Sequence, residues 1–204
     1  MKLGMIIGAG QDSSYLSELL IEKGYKVVVV KRRASASSTW RFNKVINNDN
    51  FSFIEGDITD YSSILNILQT YKPQEIYNLA AQSNVGVSFN QPNLTYRVCA
   101  EGVLNLLECI KFLKLDTRLY QASSSEMFGK AFSFWGTDDE DNPLLYNSNQ
   151  LLKDKFRSKP YGKMIGDFQN EQTPFEPQSP YAIAKLSAHN SIKLYREAYG
   201  IWAV

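Results

Sequence analysis

The chain has 204 residues, 44% apolar and 21% charged, enough to bury one good core. Its 22 Lys and Arg face 21 Asp and Glu, and the resulting net charge of +1 points to neither nucleic acid nor an acidic membrane surface. No signal peptide opens the chain, no apolar run spans a bilayer, and Cys99 and Cys109 lack metal-ligand spacing; the expectation is a cytoplasmic protein with two buried thiols and no metal.

Lys2 to Ile7 is a short apolar run leading into Gly8-Ala9-Gly10-Gln11-Asp12-Ser13. A helix follows with apolar positions Tyr15, Leu16, Leu19 and Leu20, and Gly24 closes it just past the C-cap. Strand, glycine turn and helix are the setting in which a G-x-G-x-x-G match gains meaning. Gly8 permits the tight turn and Gly10 lets the backbone approach a pyrophosphate. The helix N-terminus adds free amides at a positive dipole end. Ser13 replaces the third glycine and should crowd the contact between helix and strand; a strand-to-helix turn without any ligand fits the same residues.

Val27 to Val30 is the second strand, and Lys31-Arg32-Arg33 follows it. A carboxylate at this distance from the glycines would hold a ribose 2′-hydroxyl and signal NAD. Cations suit a 2′-phosphate, so NADP is the expected cofactor, against the alternative of three merely solvated charges. Phe51 to Ile54 is the third strand, ending at Gly56-Asp57. Asp57 is placed either to accept from an adenine amino group or to cap the helix starting near Asp60. Glu75 to Leu79 is the fourth strand, and the small Ala80 and Ala81 after it suit close approach of a cofactor or tight packing. Pro92 opens a helix to about Leu113 with Val98, Val103, Leu106, Leu107 and Ile110 as core positions. The fifth strand, Thr117 to Ala122, carries Ser123-Ser124-Ser125-Glu126 at its C-terminal end, where open α/β sheets bind ligands.

Ala131 to Phe168 breaks this rhythm. Its length predicts a lid or a disordered insertion, with Asp138-Asp139-Glu140-Asp141 as a solvated face and one short helix over Ser148–Arg157. Ser179 then N-caps a helix begun by Pro180, which sets Tyr181 and Lys185 at i and i+4 on one face. A phenol of pKa ~10 is a poor base at neutral pH. An ammonium at ~4 Å favours the phenolate by up to ~4 kcal/mol at an effective dielectric of ~20. Such a pair can take a proton from a sugar hydroxyl, although an amphipathic helix with a snorkelling lysine has the same spacing. Ile201 to Val204 begins a sixth strand. The alternation predicts an α/β fold, a doubly wound parallel sheet (Rossmann fold), with residues 1–204 forming one NADP-binding domain carrying an insertion at about 131–168.

Five stretches together resemble the GDP-mannose 4,6-dehydratases of the extended short-chain dehydrogenase/reductase family. They are Gly10 to Leu16 (GQDSSYL), Glu75 to Ser83 (EIYNLAAQS), Gln121 to Glu126 (QASSSE), Gln178 to Lys185 (QSPYAIAK) and Tyr195 to Gly200 (YREAYG). The resemblance implies a lyase that converts GDP-mannose to GDP-4-keto-6-deoxymannose by internal redox through NADP, a first step towards GDP-fucose or a related deoxysugar. Tyr181 would take the C4 hydroxyl proton, and Ser124, where the family has threonine, would bond the C4 oxygen. Glu126 would remove the C5 proton and help water leave C6, while Lys185 would hold the nicotinamide ribose and tune Tyr181. The resemblance further implies NADP contacts from Gly8, Gly10, Gln11, Asp12, Arg32, Arg33, Asp57, Ile58, Leu79, Ala80, Ala81, Gln82, Ser83, Tyr181 and Lys185. Glu126 sets this branch apart from epimerases and reductases, which need the tyrosine but no carboxylate there; a surface glutamate after a strand is the plain alternative.

The chain departs from the family pattern in several places. Gly8 and Gly10 stand one residue closer than the family's glycines, Leu94 replaces a tyrosine near the cofactor, Asn84 replaces a histidine, and the 131–168 segment is longer. The family also continues past the position of Val204 with a substrate domain and assembles as a homo-oligomer. The expectation is therefore a C-terminally truncated fragment without the substrate domain, binding NADP weakly and turning over no GDP-mannose. The alternatives are a non-catalytic dinucleotide-binding remnant, or another nucleotide-sugar epimerase or reductase.

Overall fold

Five short, largely apolar runs lie side by side in the computed structural model, which describes residues 1–34, 39–131, 133–137, 143–147 and 164–204, those between 133 and 168 by their backbone. The strands are β1 (Leu3–Ile7), β2 (Lys26–Lys31), β3 (Phe51–Glu55), β4 (Glu75–Asn78) and β5 (Arg118–Gln121). All pair in parallel, in the order β3-β2-β1-β4-β5. Met5, Ile6, Val27, Val28 and Val29 are fully buried, because both faces of the central strands are covered. Chain order reverses direction at β1, which has β2 on one side and β4 on the other. A sheet wound this way opens a crevice at the C-terminal strand ends.

One face is covered by α1 (Gln11–Glu22), with Phe42 and Val45 sealing the β2–β3 side. The other face packs against α2 (Tyr61–Tyr71), then α3 (Val85–Asn90) and α4 (Pro92–Tyr96) lead to α5 (Gly102–Leu113). Met5, Ile7, Val28 and Val30 meet Ile64 and Leu68 of α2 and Val103, Leu106, Leu107 and Ile110 of α5 there. Asp60 caps α2 by accepting from the Ser62 and Ser63 amides. The helix expected from Pro92 to Leu113 is present but not uniformly wound, since Arg97–Glu101 forms a π-helical stretch between α4 and α5. Beyond β5, the Leu119 and Gln121 amides donate to the Trp202 and Val204 carbonyls at 2.9 and 2.7 Å, so the chain's last residues pair in parallel with β5 as expected of a sixth strand.

Two expectations are corrected. The helix after the glycine turn does not bury the face marked by Tyr15 and Leu19, which are exposed; it buries Ser13, Ser14, Ser17 and Leu20. Small residues let α1 lie close to the sheet, and two hydroxyls are satisfied inside the helix, Ser14 on Gln11 O at 2.6 Å and Ser17 on Ser13 O at 2.7 Å. Of the two alternatives for the insertion, a lid or disorder, disorder gives way where it contains three strands, β6 (Ser133–Thr137), β7 (Pro143–Asn147) and β8 (Met164–Phe168). They form a separate antiparallel sheet in the order β7-β6-β8. Its base is closed by Gln169, whose Nε2 donates to Ala131 O at 3.0 Å. The acidic run and the helix expected over Ser148–Arg157 lie outside the described residues.

The last helix, α6 (Pro180–Tyr199), is capped as expected: Ser179 Oγ accepts from the Ala182 amide at 3.1 Å and Gly200 follows with φ of +67°. Cys99 and Cys109 are free and buried. Among the described residues, no helix is long and apolar enough to cross a membrane and no cluster of His, Cys, Asp or Glu could hold a metal ion.

Candidate active site

The site begins where β1 ends. Gly8 has φ of +102°, and a Cβ on it would stand 2.9 Å from the Ala80 backbone nitrogen, so the turn is pressed against the end of β4 and tolerates no side chain. Gly10 differs: nothing lies within 4 Å of where its Cβ would point. It is the N-cap of α1 and supplies no side-chain cap, which leaves the first amides of the helix without that partner. Ser13 is 1% exposed, and its hydroxyl has no hydrogen-bond partner.

From this turn a groove of about 780 Å³ crosses the strand ends to Tyr181 and Lys185. Of the residues expected to contact the cofactor, every one lines it except Arg33, which is exposed and off the groove. Arg32 alone of the pair is placed at its β2 end. Asp57 lines the groove while its Oδ1 accepts from both the amide and the hydroxyl of Thr59, at 2.9 and 2.8 Å; the cap of α2 is Asp60, so the capping alternative for Asp57 falls away. Val98, expected as a core residue, is half-buried, packs against the core as expected and also lines the groove. Ala122 and Ser123 line it as well, although no role was expected of either. Their place after β5 was the available signal.

Shape, small residues and charge suit a dinucleotide. An open glycine cap and an unpartnered buried hydroxyl stand where a pyrophosphate would lie, and a cation stands at the β2 end. Gly8, Gly10, Gln11 and Asp12 would hold its phosphates, with Leu79 to Ser83 and Lys185 along its remainder.

At the far end two segments converge. Ser124, just past β5, accepts from the Glu126 amide at 3.2 Å, and its hydroxyl is close enough to the Tyr181 phenol to favour the phenolate. Glu126 is exposed, and its charge reaches Tyr181. Neither Ser124 nor Glu126 is part of the groove's lining; they stand beside its end. Tyr181 is 7% exposed and Lys185 3%. Lys185 Nζ donates to Ala122 O at 2.8 Å and sits 5.8 Å from the centre of the Tyr181 ring.

Here the expected tuning is corrected. Burial pushes the Tyr181 phenol above its ordinary value, Ser124 pulls it down, and the Cys99 and Glu126 charges push it up. Burial also lowers the Lys185 ammonium. The lysine is engaged by a backbone carbonyl, and burial is the largest influence on the phenol.

Sheet order, glycine turn and crevice together define a Rossmann-type domain. The model of the GDP-mannose 4,6 dehydratase family matches residues 5–148 and 157–204, and the chain belongs to that family. It is 42% identical to a GDP-mannose 4,6-dehydratase of Vibrio cholerae over 99% of this chain and 48% of the relative. It is 39% identical to GDP-mannose 4,6 dehydratase 1 of Arabidopsis thaliana, over 99% of the chain and 50% of the relative. The chain thus spans about half the length of the curated relatives it matches. Among solved structures, a dTDP-glucose 4,6-dehydratase of Streptomyces venezuelae with NAD and TYD bound superposes with a TM-score of 0.72 at 20% identity, over 98% of this chain and 53% of that one. A UDP-glucose 4-epimerase of Brucella ovis with NAD gives 0.70 at 22%, over 100% and 50%. At these identities the structural likeness speaks for the fold.

Proposed function

We propose that this chain carries the cofactor site and the proton-transfer groups of a GDP-mannose 4,6-dehydratase, a lyase that forms GDP-4-keto-6-deoxymannose and water, and that its cofactor is NADP. The observation that carries the reading is the convergence of Ser124 and Glu126 on Tyr181 beside the groove's end. When bound, the dinucleotide supplies reversible hydride acceptance. The chain's own residues supply the rest. Ser124 orients the sugar C4 oxygen, and the phenolate form of Tyr181, which the Ser124 hydroxyl favours, takes its proton. Glu126, exposed and therefore able to reach a carbon acid on the substrate, removes the C5 proton and passes it to the departing C6 hydroxyl, which leaves as water; C5 regains a proton, matching the one given up to Tyr181, as hydride returns to C6. Lys185 holds the ribose. Arg32 favours the 2′-phosphate of NADP over the 2′-hydroxyl of NAD.

The test joins residues 1–204 to the second half of the Vibrio cholerae relative and supplies NADP and GDP-mannose. A 4-keto-6-deoxy product is expected. Tyr181→Phe and Glu126→Gln should each lower turnover by about 10²–10⁴-fold, the usual weight of a general acid or base. A joined protein that binds NADP yet leaves both variants as active as the parent would remove these residues from the chemistry. One that binds NADP and forms no product at all would favour a non-catalytic dinucleotide-binding module. For the cofactor, Arg32→Ala should erase the preference for NADP over NAD in equilibrium binding to the chain; an unchanged ratio would assign the preference elsewhere.

A further inference from the structure

Beneath the groove, where β4 and β5 end side by side, two amide side chains are sealed in the core. Asn78 is 0% exposed and Gln121 5%, and they stand opposite each other in the parallel register. Neither belongs to the groove's lining, and the chemistry above uses neither. Two buried amides have a cost unless every polar atom is matched, and here the matching runs in one direction. The Ala80 amide can only donate, and it donates to Asn78 Oδ1 at 3.2 Å. Asn78 Nδ2 must then face away, and it donates to Gln121 Oε1 at 2.6 Å. That leaves Gln121 Nε2 to donate to Ala122 O at 2.9 Å. The same carbonyl is the acceptor for Lys185 Nζ at 2.8 Å. The Ala122 amide in turn donates to Asn78 O at 3.1 Å, which ties the end of β5 back to β4.

We propose that Asn78 and Gln121 are positioning residues: a polarised amide relay that fixes the Ala122 carbonyl and, through it, the direction of the Lys185 ammonium at the groove. Neither touches cofactor or substrate. Their action is on a backbone oxygen that accepts from two donors, one neutral and one charged. Hydrogen bonds in such a chain polarise one another, so breaking the first link weakens the last. The same relay starts at Ala80, whose backbone lines the middle of the groove, so one chain of bonds sets two parts of the floor relative to each other. This deepens the dehydratase reading, on which its catalytic consequence rests.

The test is made on the full chain without dinucleotide, so that a failure to bind NADP, which would count against the functional reading, has no bearing on it. The chain is labelled with ¹⁵N-lysine, and the Lys185 ammonium signal is identified by its loss in Lys185→Arg. The titratable groups that face this ammonium are Tyr181 on its own helix and Cys99 on the π-helical stretch, and both are left intact. Gln121→Met should speed hydrogen exchange of the Lys185 ammonium by at least about tenfold, the scale of a weakened charge-assisted hydrogen bond. The length-swapped pair Asn78→Gln/Gln121→Asn keeps both amides and should return the rate towards that of the parent. If Gln121→Met does not fold, Asn78→Leu/Gln121→Met replaces both partners by apolar groups, a change that can be nearly neutral for stability, and carries the same expectation. A folded variant with a lowered melting temperature but an unchanged Lys185 exchange rate would show a purely structural pair and overturn the proposal. Failure of the swapped pair to slow the exchange would overturn it as well.

Discussion

Tyr181 and Lys185 are four residues apart, yet their environments push their proton affinities in opposite senses. Burial raises the phenol and lowers the ammonium, so each is displaced towards its neutral form. For the phenol, the nearby Ser124 hydroxyl is the counterweight. Ser124→Ala should therefore move the Tyr181 titration, followed by ultraviolet absorbance or ring NMR signals, further upward; a downward shift would mean that the hydroxyl does not favour the phenolate. The stability consequences have opposite signs. With the phenol raised in the folded state, its contribution is complete below the unfolded value of about 10 and declines as pH rises through the window above it. With the ammonium lowered, the unfolded chain binds more protons between the folded value and about 10.5, so stability rises with pH across that window and the cost is full only below the folded value. Lys185→Met should thus stabilise the chain at pH 7 by about 0.5–2 kcal/mol in chemical denaturation while weakening dinucleotide binding. A destabilised variant would show that the bond to Ala122 outweighs the burial of the charge.

Among the elements, the strands were the most legible and α1 the least. Val27 to Val30 is a run of β-branched residues covered on both faces, a pattern with few other solutions. The α1 helix was correctly placed by its glycine turn and by Gly24, whose φ is +77°. Its inner face was not, because hydrophobic periodicity cannot see a contact made by serines. Tyr15 and Leu19 mark an apolar stripe that faces outward, and Ser17, 0% exposed, marks the contact. Ser17→Leu should cost about 1–3 kcal/mol by overpacking, whereas Ser17→Ala should fall within about 0.5 kcal/mol of the parent. Equal stability of the two in thermal melts would mean that α1 does not pack closely there. The π-helical stretch at Arg97–Glu101 leaves no mark in local propensity, since it is a change of winding within a helical run. The groove residues were legible for a different reason. A turn that only glycine can make and small residues after β4 are constraints on the backbone, and those are visible residue by residue. What could not be seen was the relay of Asn78 and Gln121, which exists only because two strands distant in the chain end at the same level.

At the scale of the molecule, two sheets of different kinds share one chain. The parallel sheet holds the groove, and the antiparallel β7-β6-β8 sheet is built between Ala131 and Gln169, upstream of α6. The approach to that second sheet is firmly set. Gly129, with φ of +55°, would place a Cβ 1.9 Å from Glu176 O, and the Glu176 amide donates to Met127 O at 3.1 Å, so the turn after Glu126 is fastened to the strand-free stretch that leads into Tyr181. These bonds bring the carboxylate and the phenol together from opposite sides of the intervening segment.

The bond from Gln169 to Ala131 then has a bearing on how much of this protein is needed at all. A side chain spans the two ends there and Ser133 pairs with Phe168 just beyond, which makes everything strung between them detachable in principle, like a tab folded out from a closed seam. Joining Ala131 to Gln169 through a short Gly-Ser bridge should leave the melting temperature within about 2–4 °C of the parent, since a shorter connection closes at little entropic cost and about 1 kcal/mol corresponds to that shift. NADP affinity should be unaltered too. Collapse of the trimmed chain would mean that the small sheet acts as a buttress, and that the pocket's two chemical halves are kept in register by it rather than by the seam.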